Sequence, residues 1–379
     1  MTMSYSIHIY RKLPMINVAL LGHGVVGSGV AELLCGNADI IKSRLDGRQI
    51  YLKYILDLRE FPNSPYKEQF TKDFDIILND PSVAIVAECM GGVLFAYEAA
   101  RRCLVAGKSF ITSNKELVAA HGAELLALAI MHRVLFLFEA SVGGGIPIIR
   151  PIARCLAANN VEKISGILNG TTNYILEQMF AKGVSFDSAL ADAQALGYAE
   201  KDPSADVDGL DAGRKIAILS SLACGKHVYP DKVFTKGIRD ITSDDITSAD
   251  KLGFVIKLIG SYKKRLDGLV EVSCEPTFVK KDTALSVTNG VYNGVVVTGD
   301  AVDDVTFIGR GAGKMPTASA VVADIIGAAR GGGNVMCWTD SDGSMVAPYE
   351  SYLRRWYVDG EITEMQTRPK GKRVFPILD

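Results

Sequence analysis

The sequence predicts an α/β protein with two parts: a parallel sheet covered by helices, then a region of α+β character. Three observations support this. Short apolar runs alternate with helical patterns from Ile16 to about residue 138, which is typical of a parallel sheet covered on both faces. A glycine-rich turn directly follows the first run. After about residue 150 the alternation ends, and residues 269–307 are rich in β-branched residues and glycine turns, which indicates antiparallel strands.

The first region begins with a strand at Val18–Leu21, followed by a helix that extends to about Leu34. Further segments follow: strands at 50–57, 109–112 and 134–138, two more short apolar segments at 75–78 and 84–88, and helices at 95–106 and 117–132. In the second region the patterns predict a strand at 163–168, helices at 187–196 and 210–224, the strands of 269–307, and a late helix at 316–328.

The composition is that of a folded protein with a buried core. Of 379 residues, 48% are hydrophobic, and the net charge is −2, so no charge excess favours nucleic acid or an anionic membrane as a partner. No apolar run approaches the ~20 residues of a membrane span. The seven cysteines include no C-x-x-C pair, which favours buried thiols in a reducing compartment over a zinc site. Residues 1–14 lack the features of a signal peptide and are interpreted as an extension, so we expect a cytoplasmic protein.

A G-x-G-x-x-G motif occupies the turn after the first strand. Gly22 permits the tight turn, Gly24 lets the backbone approach a pyrophosphate, and Gly27 lets helix and strand lie close together. The free N–H groups of Val25 and Val26 and the positive helix end then face the phosphates. Because the motif sits between a strand and a helix, it predicts a Rossmann-type nucleotide-binding domain rather than a plain glycine turn.

The choice of dinucleotide depends on the end of the second strand. Asp57 could accept hydrogen bonds from a ribose 2′-hydroxyl, which favours NAD. Arg59 could pair with a 2′-phosphate, which favours NADP. Both are also explained as ordinary loop charges, so the sequence leaves NAD and NADP open.

Two lysines are candidates for acid–base chemistry. Asp208 is predicted to cap the helix that ends near Gly225, with Asp211 in its first turn and Lys215 one turn later on the same face. This pattern fits either a proton donor at a buried surface or a simple ion pair on a helix. Lys115 follows the carboxyl end of a parallel strand, where such sheets bind ligands, although a surface lysine at a helix start explains it equally well.

Six segments, in order, resemble homoserine dehydrogenase across most of the chain from Ile16 to about Ala328. They read GHGVVGSGV, GKSFITSNKELVAAHGAEL, EASVGGGIPIIRPI, GILNGTTNYIL, GYAEKDPSADVDGLDAGRKIAIL and GRGAGKMPTASAVVADII. The family reversibly interconverts L-aspartate 4-semialdehyde and L-homoserine with NAD(P), on the route to threonine, methionine and isoleucine. The resemblance implies a Rossmann-type domain at 15–150, completed by 310–330, and an α+β catalytic and dimerisation domain at 151–309.

The resemblance also implies roles for particular residues. Lys215 is the implied proton donor, with Lys115 beside the reacting groups and the nicotinamide. Implied substrate contacts are Gly197, Glu200 and Asp211, and Asn169, Thr171 and Thr172 could line the same pocket, although helix capping also explains them. Besides the motif, the implied cofactor contacts are Asp57, Arg59, Gly91, Ser113, Lys115, Gly311 and Gly313. The implied ligands of a sodium ion are Glu139, Val142, Gly144 and Ile146; an ordinary glycine-rich connection is the alternative.

The resemblance implies a homodimer formed through the second domain. Residues 331–379 are expected to be too few for a complete regulatory amino-acid-binding domain, and to extend a sheet, help dimerise or be poorly ordered. Two other functions stay open: another NAD(P)-dependent reductase of an amino-acid semialdehyde, or a dinucleotide sensor without catalysis. A dehydrogenase that forms a thioester is disfavoured, because no cysteine lies in an obvious nucleophile motif.

Overall fold

The structure is a computed structural model that describes residues 15–331 and 338–378. The expected extension at 1–14, and Cys337, lie outside the described residues. Within the described ranges, no helix combines the length and apolar character that crossing a membrane requires.

The first part of the chain is a six-stranded parallel sheet with helices between its strands. The strands are β1 (Ile16–Leu21), β2 (Ile50–Leu56), β3 (Phe70–Thr71), β4 (Val83–Glu88), β5 (Ser109–Thr112) and β6 (Phe136–Leu137), and the helices are α1 (Val25–Gly36), α2 (Ala38–Arg44), α3 (Phe74–Asn79), α4 (Leu94–Val105) and α5 (Lys115–Met131). The strand order is β3-β2-β1-β4-β5-β6. This is the doubly wound order, which confirms the predicted Rossmann-type fold. The segment at 75–78 belongs to a helix and not to a strand.

The central strands β1 and β4 show why the apolar strand segments were clear in the sequence. Val18–Leu21 and Ile85–Ala87 are almost completely buried, because helices cover both faces of the sheet. The strand order reverses between β1 and β4, and ligands of such sheets bind outside the carboxyl ends of the strands at this point. The glycine turn at Gly22 and the loop after Glu88 both lie there.

The second part is a mixed sheet with helices packed against it. Its strands are β7 (Val161–Ile167), β8 (Phe234–Thr235), β9 (Phe254–Lys264), β10 (Val270–Lys280), β11 (Tyr292–Gly299), β12 (Asp303–Arg310), β13 (Trp356–Val358), β14 (Glu361–Ile362) and β15 (Val374–Leu378), and its helices are α6 (Gly170–Lys182), α7 (Phe186–Ala195), α8 (Ser204–Val207), α9 (Leu210–Cys224) and α10 (Ser243–Lys251). The strand order is β12-β11-β7-β9-β10-β15-β13-β14, and β8 pairs with β10.

Strand β9 was not predicted, because two residues interrupt its apolar pattern. Lys257 is buried, and its ammonium group donates to Asn173 Oδ1 and to the Thr288 carbonyl, both at 2.9 Å. Gly260 faces α9, where an added Cβ would lie 3.0 Å from Ile216 Cβ. The glycine therefore lets α9, which carries the candidate catalytic residues, lie close to the sheet.

The last helix, α11 (Lys314–Arg330), returns to the first sheet. It packs on α1 so closely that a Cβ at Gly29 would lie 3.0 Å from Ala318 Cβ. Of the three expectations for the C-terminal residues, the structure shows sheet extension. Strand β15 pairs in parallel with β10, and Arg354 Nη1 donates to Glu275 Oε1 at 3.0 Å.

Candidate active site

The N-terminal ends of α5, α6 and α9 meet between the two sheets and bring the candidate lysines together. Lys215 Nζ lies 2.7 Å from Asp211 Oδ2 and donates to the Leu168 carbonyl at 2.9 Å. Lys115 Nζ reaches the other oxygen of the same carboxylate, Asp211 Oδ1, at 3.1 Å. One carboxylate thus joins a lysine from the first part of the chain to a lysine from the second. A further ion pair crosses beside it, Arg214 to Glu116 at 3.2 Å.

Asp211 is the buried centre of this cluster. Burial by itself would raise the pKa of its carboxyl, but the ammonium groups of Lys215 and Lys115 oppose this and hold that pKa well below its usual range. Asn169 Nδ2 also donates to Asp211 Oδ2 at 2.9 Å. The carboxylate is therefore ionised and keeps two ammonium groups in one place.

A second carboxylate, Asp206, joins the cluster and was missed by the sequence analysis. The same Asn169 Nδ2 that contacts Asp211 donates to Asp206 Oδ1 at 2.6 Å. Burial, followed by the charge of Asp211, raises the pKa of Asp206 above its ordinary value. The two carboxylates converge on one amide nitrogen beside the two ammonium groups and form a polar pocket with acceptor oxygens for a cationic ligand group.

The other predicted substrate residues differ in whether they contact this pocket. Asn169 caps α6 by accepting from Thr172 N at 2.9 Å, so capping and pocket lining are combined in one residue. Thr171 Oγ1 donates to the Tyr198 carbonyl at 2.8 Å and ties the loop that holds Gly197 to α6. Gly197 adopts a positive φ of 73°. Glu200 is exposed, and the structure does not bring its carboxylate into the Asp206–Asp211 pair.

The prediction that Asp208 caps α9 is wrong. Gly209 precedes the helix with a φ of +81° and provides no side-chain cap. Asp208 instead ends the short helix α8 and pairs with Arg239. The chain turns too sharply at Gly209 for the preceding carboxylate to reach back to the first turn of α9.

The glycine turn has the shape that a pyrophosphate requires. A Cβ at Gly27 would lie 2.0 Å from the Gly22 carbonyl oxygen, whereas a Cβ at Gly24 would meet nothing within 4 Å. Gly27 is therefore needed for packing, and Gly24 leaves open space above the turn. Helix α1, which begins with Val25 and Val26, has no side-chain cap at its N-terminus. Its first N–H groups are available to an anion.

The two residues that bear on cofactor choice bind each other. Arg59 donates to both Asp57 oxygens, from Nε at 2.9 Å and from Nη2 at 2.7 Å. These bonds, supported by His23 N at 2.8 Å, hold the pKa of Asp57 well below its usual range. His23 itself lies in a cage of Phe61, Tyr66 and Phe70, and its predicted role as a loop residue rather than a catalyst remains a prediction.

Two further cofactor candidates lie just past the carboxyl ends of β4 and β5. Gly91 adopts a φ of +82° in the loop after β4, and Ser113 N donates to the Glu88 carbonyl at 3.2 Å. Glu88 is fully buried and binds this loop through its side chain. Glu88 was not predicted as a site residue, although a charged residue at the end of a buried apolar run was a usable signal.

The two glycine-rich loops predicted for the cation and the cofactor contact each other. A Cβ at Gly144 would lie 2.3 Å from the Gly311 carbonyl oxygen, and Gly145 N donates to the Arg310 carbonyl at 3.0 Å. Gly313 precedes α11 with a φ of +124°. The Glu139 carboxylate accepts from the backbone N–H groups of Ile148, Ile149 and Arg150, all within 2.9 Å. The Glu139 carboxylate is thus already hydrogen-bonded to the protein backbone.

Fold and site together define a dinucleotide-binding oxidoreductase: a doubly wound sheet with an uncapped glycine turn, and a lysine pair where the second part of the chain contacts the first. Comparison with known proteins makes this specific. The family model described as "Homoserine dehydrogenase, NAD binding domain" matches residues 22–139, and the model described as "Homoserine dehydrogenase" matches residues 147–326.

Individual relatives agree with the family models. The homoserine dehydrogenase of Synechocystis sp. is 46% identical over 318 residues, which cover 82% of this chain and 72% of that protein. The crystal structure of a homoserine dehydrogenase from Thiobacillus denitrificans matches with a TM-score of 0.83 at 35% identity, covering 90% of this chain and 82% of that one. A hyperthermophilic archaeal homoserine dehydrogenase in complex with NADPH matches with a TM-score of 0.72 at 26% identity, covering 85% of this chain and all of that one.

The chain belongs to the homoserine dehydrogenase family and is an oxidoreductase that acts on a CH–OH group.

Proposed function

We propose that this chain interconverts L-aspartate 4-semialdehyde and L-homoserine with Lys215 as the group that exchanges the proton. The observation that carries the proposal is the position of the Lys215 ammonium group. It is held between the Asp211 carboxylate and the Leu168 carbonyl. The other oxygen of Asp211 contacts Lys115, which belongs to the same part of the chain as the glycine turn.

In the reducing direction, the aldehyde carbon gains a hydride and its oxygen gains a proton. When bound, the nicotinamide supplies the hydride, or accepts it in the reverse direction. Lys215 donates the proton to the oxygen as negative charge develops there, and takes it back during oxidation. Lys115 supplies a second positive charge beside the same carboxylate, and this favours the developing oxyanion.

The substrate's own ammonium group needs anionic partners at a fixed distance from the reacting carbon. The Asp206 and Asp211 carboxylates form such a pair, which Asn169 Nδ2 holds together, and Thr171 holds the adjacent loop. Gly197 and Glu200 lie on that loop, and we propose that Glu200 joins the pocket when the substrate orders it. Binding energy at the ammonium end would then orient the aldehyde toward Lys215.

We propose that the dinucleotide is NAD or NADP, held by the turn of Gly22 to Gly27. The open space above Gly24 and the uncapped start of α1 support this placement. We propose further cofactor contacts at the carboxyl ends of the strands of the first sheet and in the loop before α11. They are Asp57, Arg59, Gly91, Ser113, Lys115, Gly311 and Gly313. The NADPH complex of the archaeal relative is consistent with the phosphorylated cofactor.

We further propose a sodium ion at the loop of Glu139, Val142, Gly144 and Ile146. Within the described residues, no group of three or more His, Cys, Asp or Glu side chains is arranged to hold a metal. Backbone carbonyl oxygens would therefore be the main ligands, as a hard cation allows. Because the Glu139 carboxylate already accepts three N–H groups, its carbonyl is the better ligand, and the ion would stabilise the connection between domains.

The wider assignments remain proposals of the same kind. They are a homodimer formed through the second domain, a cytoplasmic location, a place in threonine, methionine and isoleucine biosynthesis, and domain boundaries at 15–150 with 310–330, 151–309 and 331–379. Support for the dimer comes from two exposed apolar side chains, Ile308 on the edge strand β12 and Tyr292 on its neighbour β11.

One assay tests the proposal directly. Purified protein is incubated with L-homoserine and either NAD or NADP, and reduced nucleotide is followed by its absorbance. We expect homoserine-dependent reduction with at least one nucleotide, and no signal with L-threonine in place of homoserine. Tight nucleotide binding without turnover would instead favour a dinucleotide sensor, and turnover of a different semialdehyde only would favour the alternative reductase.

A further inference from the structure

A buried carboxylate that the proposed mechanism does not use lies under the edge where the nucleotide-binding loop and Lys115 meet. Glu88 is the last residue of β4 and is fully buried. Charged side chains are almost never fully buried unless other groups satisfy them. Its hydrogen bonds are therefore informative, and they lead in two directions.

The first direction is the loop after β4. Glu88 Oε1 accepts from Met90 N at 2.6 Å and from Gly91 N at 3.1 Å. This loop lies directly against the glycine turn, since a Cβ at Gly22 would be 2.5 Å from Met90 Cγ. Cys89 N also donates to the Leu21 carbonyl at 2.8 Å. Glu88 thus fixes the loop that forms one wall of the nucleotide crevice.

The second direction is the start of α5. Thr112 Oγ1 donates to Glu88 Oε2 at 2.6 Å and accepts from Asn114 N at 2.9 Å. The Asn114 side chain donates to the Gly92 carbonyl at 2.6 Å, and its oxygen caps α5 by accepting from Glu116 N and Leu117 N at 3.1 Å. Lys115 lies within this cap and reaches Asp211 across the cleft.

We propose that Glu88 is a positioning residue, whose two oxygens hold the nucleotide-binding loop and the Asn114 cap in one arrangement and so place Lys115 over Asp211. The proposal rests on the role proposed for Lys115 above. It adds a buried residue that contacts neither substrate nor cofactor but connects the nucleotide-binding loop to the helix start that carries Lys115.

The direction of each hydrogen bond defines the state in which Glu88 works. Two backbone N–H groups can only donate, and the Thr112 hydroxyl has its single proton free for Glu88 because it accepts from Asn114. Burial raises the pKa of Glu88, and these donors oppose that rise. The network needs a hydrogen-bond acceptor at both Glu88 oxygens. A glutamine side chain offers only one, because its other terminal atom is an NH2 donor.

The test compares Glu88→Gln with Thr112→Val. In Glu88→Gln the loop arm loses its charged acceptor, and the Thr112 hydroxyl faces an NH2 donor instead of an acceptor. Both arms are weakened, so we expect kcat to fall roughly tenfold or more. Dissociation constants for NADH and NADPH, measured by calorimetry without substrate, should rise by about fivefold. In Thr112→Val only the arm to Asn114 breaks. We expect a similar fall in kcat with dissociation constants within about twofold of wild type, and Thr112→Ser should restore kcat.

Two controls separate positioning from general destabilisation. Ser109→Ala removes a hydroxyl at the opposite end of β5, where Ser109 Oγ accepts from Leu135 N, and Glu275→Gln alters a buried carboxylate in the second sheet. Both should leave kcat and nucleotide affinity near wild type whatever they do to the melting temperature. If Glu88→Gln fails to fold, the Thr112 pair carries the test.

Wild-type kcat in Thr112→Val overturns the inference, as does a loss of kcat that Thr112→Ser does not restore. A wild-type protein inactive with homoserine defeats the proposed function instead. The nucleotide affinities still test the Glu88 loop in that case, and unchanged affinity in Glu88→Gln would overturn it.

Discussion

Lys115 and Lys215 share one carboxylate but are held in different ways. The Lys215 side chain is 12% exposed and has two acceptors, both from its own part of the chain. The Lys115 side chain is 36% exposed, and its one contact to Asp211 crosses to the other part. Lys215 is therefore fixed before any ligand binds, whereas the position of Lys115 depends on how the two parts meet. This difference suits a proton donor and an adjustable cation, respectively.

The comparison is tested most strongly by Lys215→Ala. If Lys215 exchanges the proton, turnover with homoserine should fall by about 10³-fold, within the usual range for a general acid or base. The dissociation constants for NADH and NADPH should stay at the wild-type values, since Lys215 belongs to the substrate side. Lys251→Ala, an exposed helix lysine, is the control. Turnover within about tenfold of wild type would remove Lys215 from the mechanism.

The shared carboxylate gives the next largest effect. Asp211→Asn leaves the mostly buried Lys215 ammonium group without its counter-charge. The free energy of unfolding at neutral pH should therefore fall by about 3 kcal/mol. The folded-state pKa of Asp211 lies below its ordinary value, so its contribution is complete above about pH 5 and is lost as the pH falls through that depressed pKa.

Denaturant unfolding of wild type and Asp211→Asn from pH 8 to pH 3 checks this. The gap between the two proteins should be constant down to about pH 5 and should narrow below the ordinary pKa of about 3.9. Asp250→Asn breaks the exposed pair with Lys281 and should change stability little. A gap that widens on acidification would mean that Asp211 is not stabilised as an anion.

Lys115→Ala should show the contrasting behaviour of the adjustable cation. We expect kcat to fall by about tenfold to a hundredfold, less than for Lys215→Ala. Affinity for the nucleotide should weaken as well, because Lys115 lies at the nucleotide side of the cleft. Stopped-flow turnover and calorimetry separate the two quantities, with Lys42→Ala in α2 as the control. If nucleotide affinity does not change, the two lysines do not divide the cleft as proposed.

The dinucleotide turn and the carboxylate pair differ in how far sequence reasoning could reach. Gly22, Gly24 and Gly27 lie within one strand–turn–helix unit, so their spacing alone was enough to predict them. The Lys215–Asp211 pair was likewise visible as neighbours one helical turn apart. Asp206 was missed because its partner Asn169 is 37 residues away, and no local pattern links an acid in a four-residue helix to the cap of another.

Long-range contacts and backbone geometry also account for the errors in the predicted fold. Strand β9 escaped prediction because Lys257 and Gly260 have long-range reasons for their places: hydrogen bonds to Asn173 and Thr288, and close approach of α9. Asp208 was assigned a cap that Gly209 prevents geometrically. Glu88 stands between these cases, since its position at the end of β4 was local but its partner Thr112 was not.

The smallest expected effect concerns the edge of the nucleotide crevice and decides between NAD and NADP. Arg59 neutralises Asp57 through two hydrogen bonds, so in this state the guanidinium, not the carboxylate, is the exposed charge: the Arg59 side chain is 63% exposed and that of Asp57 is 8% exposed. An exposed cation at the end of β2 favours a 2′-phosphate over a 2′-hydroxyl. We therefore expect Arg59→Ala to raise KM for NADP by roughly tenfold, the loss of one charged hydrogen bond.

In the same variant Asp57 is released to accept from the ribose, so KM for NAD should fall or stay constant. Asp57→Asn is the reciprocal control and should raise KM for NAD while leaving Arg59 free for the phosphate. Parallel changes of both KM values in Arg59→Ala would mean that the Asp57–Arg59 pair only shapes the loop. Opposite changes would show that the pair works as the selector, with Arg59 covering Asp57 until the phosphate draws the guanidinium away.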